Sequence, residues 1–85
     1  MPETIRSPRQ HHLIKRIAEA RKQAGLTQAE VAAHFGKHQP FIANIEAGQR
    51  RLDLVELITL AEIIDLDLYR LIDEIKRVPS QSKKR

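Results

Sequence analysis

The chain contains no cysteine, which excludes a disulfide staple and a thiolate metal site and fits a reducing cytosol. No apolar run approaches the ~20 residues of a membrane span. The N-terminus has no long apolar stretch after its charges either, so a soluble, intracellular protein without membrane contact is expected. Alternation at period two is missing over any strand's length and no internal repeat is present, which leaves helices as the building material. Glycine is scarce: Gly25, Gly36 and Gly48 are the only three, and each falls at the end of a helical pattern. A phosphate-cradling glycine loop is therefore absent, as are a Ser/His/Asp or Cys/His arrangement and paired carboxylates with a plausible cleft. With 85 residues there is room for one small domain, in which about 60% of the unfolded surface is buried on folding and little space is left for a cavity. Neither enzymatic activity nor a cofactor is expected.

What the chain does have is concentrated between Thr27 and Gly48, TQAEVAAHFGKHQPFIANIEAG. Thr27-Gln28-Ala29-Glu30 is a capping box, in which the Thr27 hydroxyl accepts from the Glu30 N–H and the Glu30 carboxylate reaches back to the Thr27 N–H. Val31, Ala32 and Phe35 follow at helical spacing, and Gly36 stops the helix. A second pattern, roughly Gln39 to Ala47, turns Ile42 and Ile45 inward and ends at Gly48, a typical residue just past a helix end. Its other side carries Gln39, Pro40, Ala43 and Asn44, none of them charged, an unusual face for a helix that merely meets water. Two chained helices this short cannot bury their apolar sides on each other alone, so other helices must hold them.

The spacing of Gln28, Ala32, Gly36, Ile42, Ile45, Glu46 and Gly48 resembles the helix-turn-helix of the phage-repressor-like (Xre/Cro) family of bacterial DNA-binding proteins. The similarity extends over roughly Leu13 to Leu71, most of the chain. It implies an all-α, five-helix, lambda-repressor-like domain.

The flanking sequence supplies the remaining helices. Ser7-Pro8-Arg9-Gln10 reads as a helix start, with Ser7 as N-cap, Pro8 in the first turn and Gln10 completing a capping box. Helix 1 should run from about Pro8 to Ala24 on an apolar face of Leu13, Ile14, Ile17, Ala18 and Ala24, with Gly25 ending it. Leu26, just before Thr27, is placed to pack back onto Val31. After Gly48 and Gln49-Arg50-Arg51-Leu52, Asp53-Leu54-Val55-Glu56 opens helix 4 (about Leu54 to Ile64), whose core positions read as Leu54, Leu57, Ile58, Leu60, Ala61 and Ile64. Asp67 caps helix 5 (about Leu68 to Arg77), with Leu68, Leu71, Ile72 and Ile75 apolar. The predicted organisation is a flexible arm at 1–7, the helical domain at 8–78 and a disordered basic tail at 79–85.

Charge is unevenly placed along the chain, although its net value of +4 is modest. Residues 1–51 hold nine Lys/Arg (Arg6, Arg9, Lys15, Arg16, Arg21, Lys22, Lys37, Arg50, Arg51) against Glu3, Glu19, Glu30 and Glu46, for +5. Residues 52–76 hold Arg70 and Lys76 against seven acids, for −5, and Arg77, Lys83, Lys84 and Arg85 add +4. A basic half carrying the helix pair, backed by an acidic half, suits a polyanion-binding face with a reverse side. The four histidines are poor metal ligands: His11 and His12 are adjacent and diverge on a helix, and His34 and His38 have no carboxylate or cysteine at ligand spacing. They read as surface imidazoles, with His38 a candidate for a phosphate contact or for capping helix 3.

In a helix-turn-helix the start of the second helix enters the major groove, where base edges display distinct donors and acceptors. The resemblance therefore puts Gln39 at the bases, where its amide pairs with adenine N6 and N7. Asn44 would read a base or bond a phosphate, Ala43 would admit a thymine methyl, and Pro40 could make apolar contact only. Members of the family commonly have polar residues where Pro40 and Phe41 stand, but a narrower subgroup carries Gln-x-Phe followed by Arg-Arg-Leu-Asp, as Gln39 to Phe41 and Arg50 to Asp53 do here. Phe41 either packs under helix 4 or meets sugar and a thymine methyl. Phosphate contacts are expected from Gln28, Lys37, His38, Arg50 and Arg51, the last two being otherwise a solvated pair on a loop. By the same resemblance Arg21 late in helix 1 bonds Glu46 late in helix 3, a structural pair.

Apolar residues in the last third exceed what one small core needs. Val55, Ile63, Ile72, Ile75 and Val78 are candidates for a homodimer interface. The leading functional expectation is a sequence-specific, DNA-binding transcriptional regulator, in the repressor sense, that binds an inverted repeat of double-stranded DNA as a dimer in the cytoplasm, at the nucleoid. No appended sensor domain is expected. An autoregulating antitoxin or a restriction-system controller would have a similar sequence, and a protein-interaction module of the same fold, with an unknown protein partner, is the alternative of another class.

Overall fold

The computed structural model describes residues 7–80, and every regular element among them is a helix. These are α1 (Pro8–Gln23), α2 (Gln28–His34), α3 (Gln39–Glu46), α4 (Leu54–Ile64) and α5 (Leu68–Lys76), the five-helix, all-α arrangement read from the sequence. Most of the arm expected at the N-terminus (1–6) and of the basic tail (81–85) falls outside the described residues. No helix among the described residues is long and apolar enough to cross a membrane.

Four of the five starts are closed by a side chain. Ser7 Oγ accepts from the Gln10 N–H at 3.1 Å, Thr27 Oγ1 from Glu30 at 3.1 Å, Asp53 Oδ1 from Glu56 at 2.7 Å and Asp67 Oδ1 from Arg70 at 3.1 Å. Glu30 and Glu56 return the bond to the cap residue's own N–H at 2.8 and 3.0 Å, completing two capping boxes;. At α1 only the Ser7 half of the expected box forms. The exception is α3. His38 occupies its N-cap without a side-chain cap bond, so the capping role considered for His38 is not realised. Pro40, in the second helical position, has removed one of the two N–H groups that such a cap would serve.

The turn between α2 and α3 is made by Gly36, at φ +71°. Its N–H bonds to the Ala33 carbonyl at 2.9 Å and that of Lys37 to the Ala32 carbonyl at 2.9 Å, a closure that needs the left-handed region where a Cβ is costly;. Asp65 does the same job after α4 at φ +57°, with Leu66 N–H on the Ala61 carbonyl at 2.8 Å. Aspartate is among the few side chains that visit this region routinely.

The core draws on every helix: Ile17 and Ala20 from α1, Val31 and Ala32 from α2, Ile42 and Ile45 from α3, Leu60, Ala61 and Ile64 from α4, and Leu71 from α5. Each fully buried Ile or Leu contributes roughly 1.5–3 kcal/mol relative to exposure. Ala20 rather than Ala24 completes the α1 stripe, because Ala24 is already the exposed C-cap.

Helix α4 departs more from expectation. Leu54 and Ile58, read as core positions, are 67% and 41% exposed, whereas Ile63, read as lying off the stripe, packs against the core. Eight of its eleven residues are Leu, Val, Ile or Ala, so hydrophobic spacing could not say which flank turns inward. In α5 the same test moves Ile75 from the proposed outer surface to the core's edge, while Ile72 stays 47% exposed.

Polar contacts dock α5 on α1. Glu74 Oε1 accepts from His12 Nε2 at 2.9 Å and Arg16 Nε at 3.0 Å. Arg9 reaches past the end of α5, with Nε donating to the Val78 carbonyl at 2.8 Å, where a cation suits the negative end of the helix.

Candidate nucleic-acid interface

Helix α3 buries Ile42 and Ile45 and leaves Gln39, Pro40 and Asn44 exposed and Ala43 half-exposed. The uncharged face is thus free along the helix, and its orientation rests on what lies behind it. There Arg21 is the one buried charged residue among the described residues. Its guanidinium grips Glu46 with both arms, Nε to Oε2 at 2.6 Å and Nη2 to Oε1 at 3.1 Å, and Nη1 donates to the Leu26 carbonyl at 2.9 Å. This forked, charge-assisted geometry is the strong form of the ion pair. The bond to Glu46 raises the Arg21 pKa above its ordinary value, against the opposing effect of burial.

The seam continues toward the surface. Gln28 Nε2 donates to Glu46 Oε1 at 2.9 Å, and Gln39 Nε2 donates to Gln28 Oε1 at 3.1 Å. Gln28 therefore has both ends of its amide bonded to protein, with one N–H left over. Four residues from α1, α2 and α3 form a continuous chain from the scaffold to the first residue of α3.

The flank of the interface is built on Phe41, the residue with two possible settings in the sequence. Its ring packs at the core's edge, 5.2 Å from the Phe35 ring, with the Arg50 guanidinium 4.5 Å and the Lys37 ammonium 5.8 Å from its centroid. Arg50 has an acidic partner the sequence did not reveal: Nη1 and Nη2 reach the two Glu56 oxygens at 3.2 and 3.0 Å. That bond raises the Arg50 pKa. The same bond first, and the Asp53 N–H second, hold the Glu56 carboxyl below the usual carboxylate range. Arg50 is thus neither a solvated loop charge nor an uncommitted cation. Lys37, His38 and Arg51 are exposed around the same edge.

On α4 and α5, Leu54, Val55, Ile58, Tyr69 and Ile72 form an exposed apolar surface. Around it lies an open groove of about 510 Å³ floored by Ala61, Leu66 and Leu68 and edged by Glu62 and Asp65. Of the proposed dimer set, Ile72 lines this groove, Val55 is exposed on α4, Val78 is half-buried, and Ile63 and Ile75 are drawn inward. Tyr69, at 88% exposure, was not singled out from sequence because a lone Tyr beside Leu68 carries no periodic signal. The Glu56 partner of Arg50 was hidden behind its more obvious role in a capping box.

Two short helices joined through a glycine turn, with the second offering an exposed polar face flanked by cations, define a helix-turn-helix DNA-binding module. Residues 17–71 match the family model described as helix-turn-helix. A protein of Sinorhizobium fredii (strain NBRC 101917 / NGR234), named an uncharacterized HTH-type transcriptional regulator, is 31% identical over 63 residues, spanning 74% of this chain and 82% of that protein. The chain belongs to the Xre/Cro-like helix-turn-helix family and is a DNA-binding regulator of transcription.

Proposed function

We propose that the protein is a sequence-specific repressor that binds an inverted-repeat operator as a homodimer. The observation that carries this reading is the exposed, uncharged start of α3, fixed from behind by the buried Arg21–Glu46 pair and bordered by Lys37, His38, Arg50 and Arg51. Uncharged amides on such a face suit base edges, and cations at its border suit phosphates. Gln39 and Asn44 read bases, Ala43 and Pro40 make apolar contact, and Gln28 adds its remaining N–H to the phosphate contacts. The apolar α4–α5 surface joins two copies, so that two α3 helices enter successive major grooves about 34 Å apart. Occupying a promoter in this way blocks transcription.

Selection of a random duplex pool by the purified protein at about 150 mM salt, a concentration that suppresses non-specific binding, tests the reading. An inverted repeat with half-sites one turn apart is expected, and the Gln39→Ala, Asn44→Ala double variant should lose it. An unenriched pool, with binding flat across salt, would instead favour use of the uncharged α3 face for a protein partner.

A further inference from the structure

Glu56 stands where an acid ought to be unwelcome. It lies 3.0 Å from Arg50, at the border of the face that meets a polyanion, and a carboxylate there repels phosphate;. What it does to the Arg50 guanidinium accounts for its presence. A guanidinium is a flat plate with five N–H donors in fixed directions. Glu56 takes the end of the plate, with Nη1 donating to Oε1 at 3.2 Å and Nη2 to Oε2 at 3.0 Å. Nη1 also donates to the Arg51 carbonyl at 2.8 Å, which uses its second hydrogen. The Phe41 ring lies against the plate, its centroid 4.5 Å from Cζ. What remains is one edge, where Nε–H and the second Nη2 hydrogen point the same way, and neither has an acceptor among the described residues. Two parallel donors on one edge match two oxygens of a phosphate. A second cation gathers at the same ring, with the Lys37 ammonium 5.8 Å from its centroid. One carboxylate against two cations leaves the spot positive, so it still attracts an anion.

We propose that Glu56 is a positioning residue for DNA binding: it holds the Arg50 guanidinium against Phe41 with its Nε–Nη2 edge outward, so that a backbone phosphate meets a preformed fork. This rests on the reading of Arg50 as a phosphate contact. A long side chain that is free in solution must give up rotamer freedom when it binds. Arg50 has already given it up in the DNA-free fold, through one bond to its own loop and two to the start of α4. Glu56 is fixed in turn by the capping box, where Oε1 also accepts from the Asp53 N–H at 3.0 Å. The ordering outweighs the repulsion because phosphate and Glu56 lie at different edges of the plate, with the cation between them.

The test is a double-mutant cycle of Arg50→Ala and Glu56→Gln, read as affinity for a duplex retained in the random-pool selection and for one of unrelated sequence. Phosphate contacts carry no sequence information, so both duplexes should respond alike. The glutamine introduced keeps one oxygen for the Asp53 N–H, which preserves the capping box, but sets an amide nitrogen against Nη2, donor to donor. Glu56→Gln should therefore weaken binding about two- to tenfold, the range for ordering one long side chain, although it removes a negative charge. In the Arg50→Ala background the same change should leave binding unchanged or strengthen it, since the acid then only repels. No weakening of the wild-type protein by Glu56→Gln would overturn the proposal, and so would equal weakening in both backgrounds, which would reduce Glu56 to a cap for α4. Arg50→Ala binding both duplexes as tightly as wild type would overturn the underlying reading of Arg50. Should Glu56→Gln fail to fold, the guanidinium NMR signals of DNA-free wild type decide: slow rotation of the Arg50 plate relative to that of exposed Arg51 supports the preformed fork, and equally fast rotation of both refutes it.

Discussion

The two sides of this small domain are held by different kinds of contact. Around α2 and α3 the decisive bonds are directional: a capping box at Thr27, a glycine closure at Gly36, and the Arg21–Glu46 fork with Gln28 and Gln39 in series. Around α4 and α5 directional bonds are present too, in the Asp53 capping box and the His12 and Arg16 contacts to Glu74, but the supply of apolar side chains exceeds what the core covers, leaving Val55 and Tyr69 at 72% and 88% exposure. Directional bonds have one good geometry, so they suit the side that must present a helix at a fixed angle. Apolar area carries little orientation but adds up with each residue, so it suits the side on which association is proposed. Orientation and the proposed association thereby fall to different residues of a single 85-residue chain.

Breaking the directional side should have the largest effect. Glu46→Ala would leave the Arg21 charge buried without its partner, and loss of one member of a buried pair costs about 3–5 kcal/mol. At roughly 4–8 °C per kcal/mol for a domain this small, the thermal midpoint should fall by more than about 10 °C. Ile72→Ser on the other side removes a residue already 47% exposed and should change unfolding by about 1 kcal/mol or less. Its effect should appear instead in sedimentation equilibrium, as a dimer dissociation constant raised about tenfold or more. If Ile72→Ser melted as early as Glu46→Ala, the division between the two sides would not hold.

A smaller effect is expected where the two sides meet. Arg50 ties Phe41 of α3 to Glu56 of α4, with 39% of its side chain exposed. Screening limits such a pair to about 0–1 kcal/mol, so Arg50→Ala should lower stability by no more than about that. If Arg50 also meets a phosphate on binding, the slope of log affinity against log salt should drop by about one in the variant. An unchanged slope would mean that Arg50 serves α3 and α4 and that the phosphate contacts come from the other residues at the border of the face.

Legibility in the sequence followed the same division. The starts of α1, α2, α4 and α5 are legible because Ser7, Thr27, Asp53 and Asp67 close them through bonds within one turn of chain, and Gly25, Gly36 and Gly48 mark three ends. The exposed set Gln39, Pro40 and Asn44 was readable because Ile42 and Ile45 fix the buried side of α3. The inward flank of α4 was not, since Leu54, Ile58 and Ile63 are alike in chemistry and only packing against other helices separates them. Pairings between distant side chains were equally invisible: nothing in the spacing of Arg50 and Glu56, or of His12 and Glu74, says that they meet. His12 in particular was expected at the surface and is instead half-buried against Glu74.

That last contact gives the smallest and most easily isolated effect, because it belongs to the α1–α5 contact and leaves the α3 seam untouched. His12 first, and Arg16 next, hold the Glu74 carboxyl below its ordinary value of 4.5. A group whose pKa is lower in the folded than in the unfolded chain binds fewer protons when folded. Its stabilisation is complete above the unfolded value and is lost as pH falls through the folded one. Melting of the wild-type protein should therefore weaken as pH drops below about 4.5, more steeply than in Glu74→Gln, which has no carboxyl to protonate there. The two curves should differ most near neutral pH and converge in acid. Glu56, lowered by Arg50 in the same direction, contributes to the slope of both, so the difference between the curves isolates Glu74. Curves that stay parallel from neutral pH into acid would show that the Glu74 ion pairs do not help to hold α5 on α1, and the contrast between the two sides would then be sharper than the ion pairs suggest.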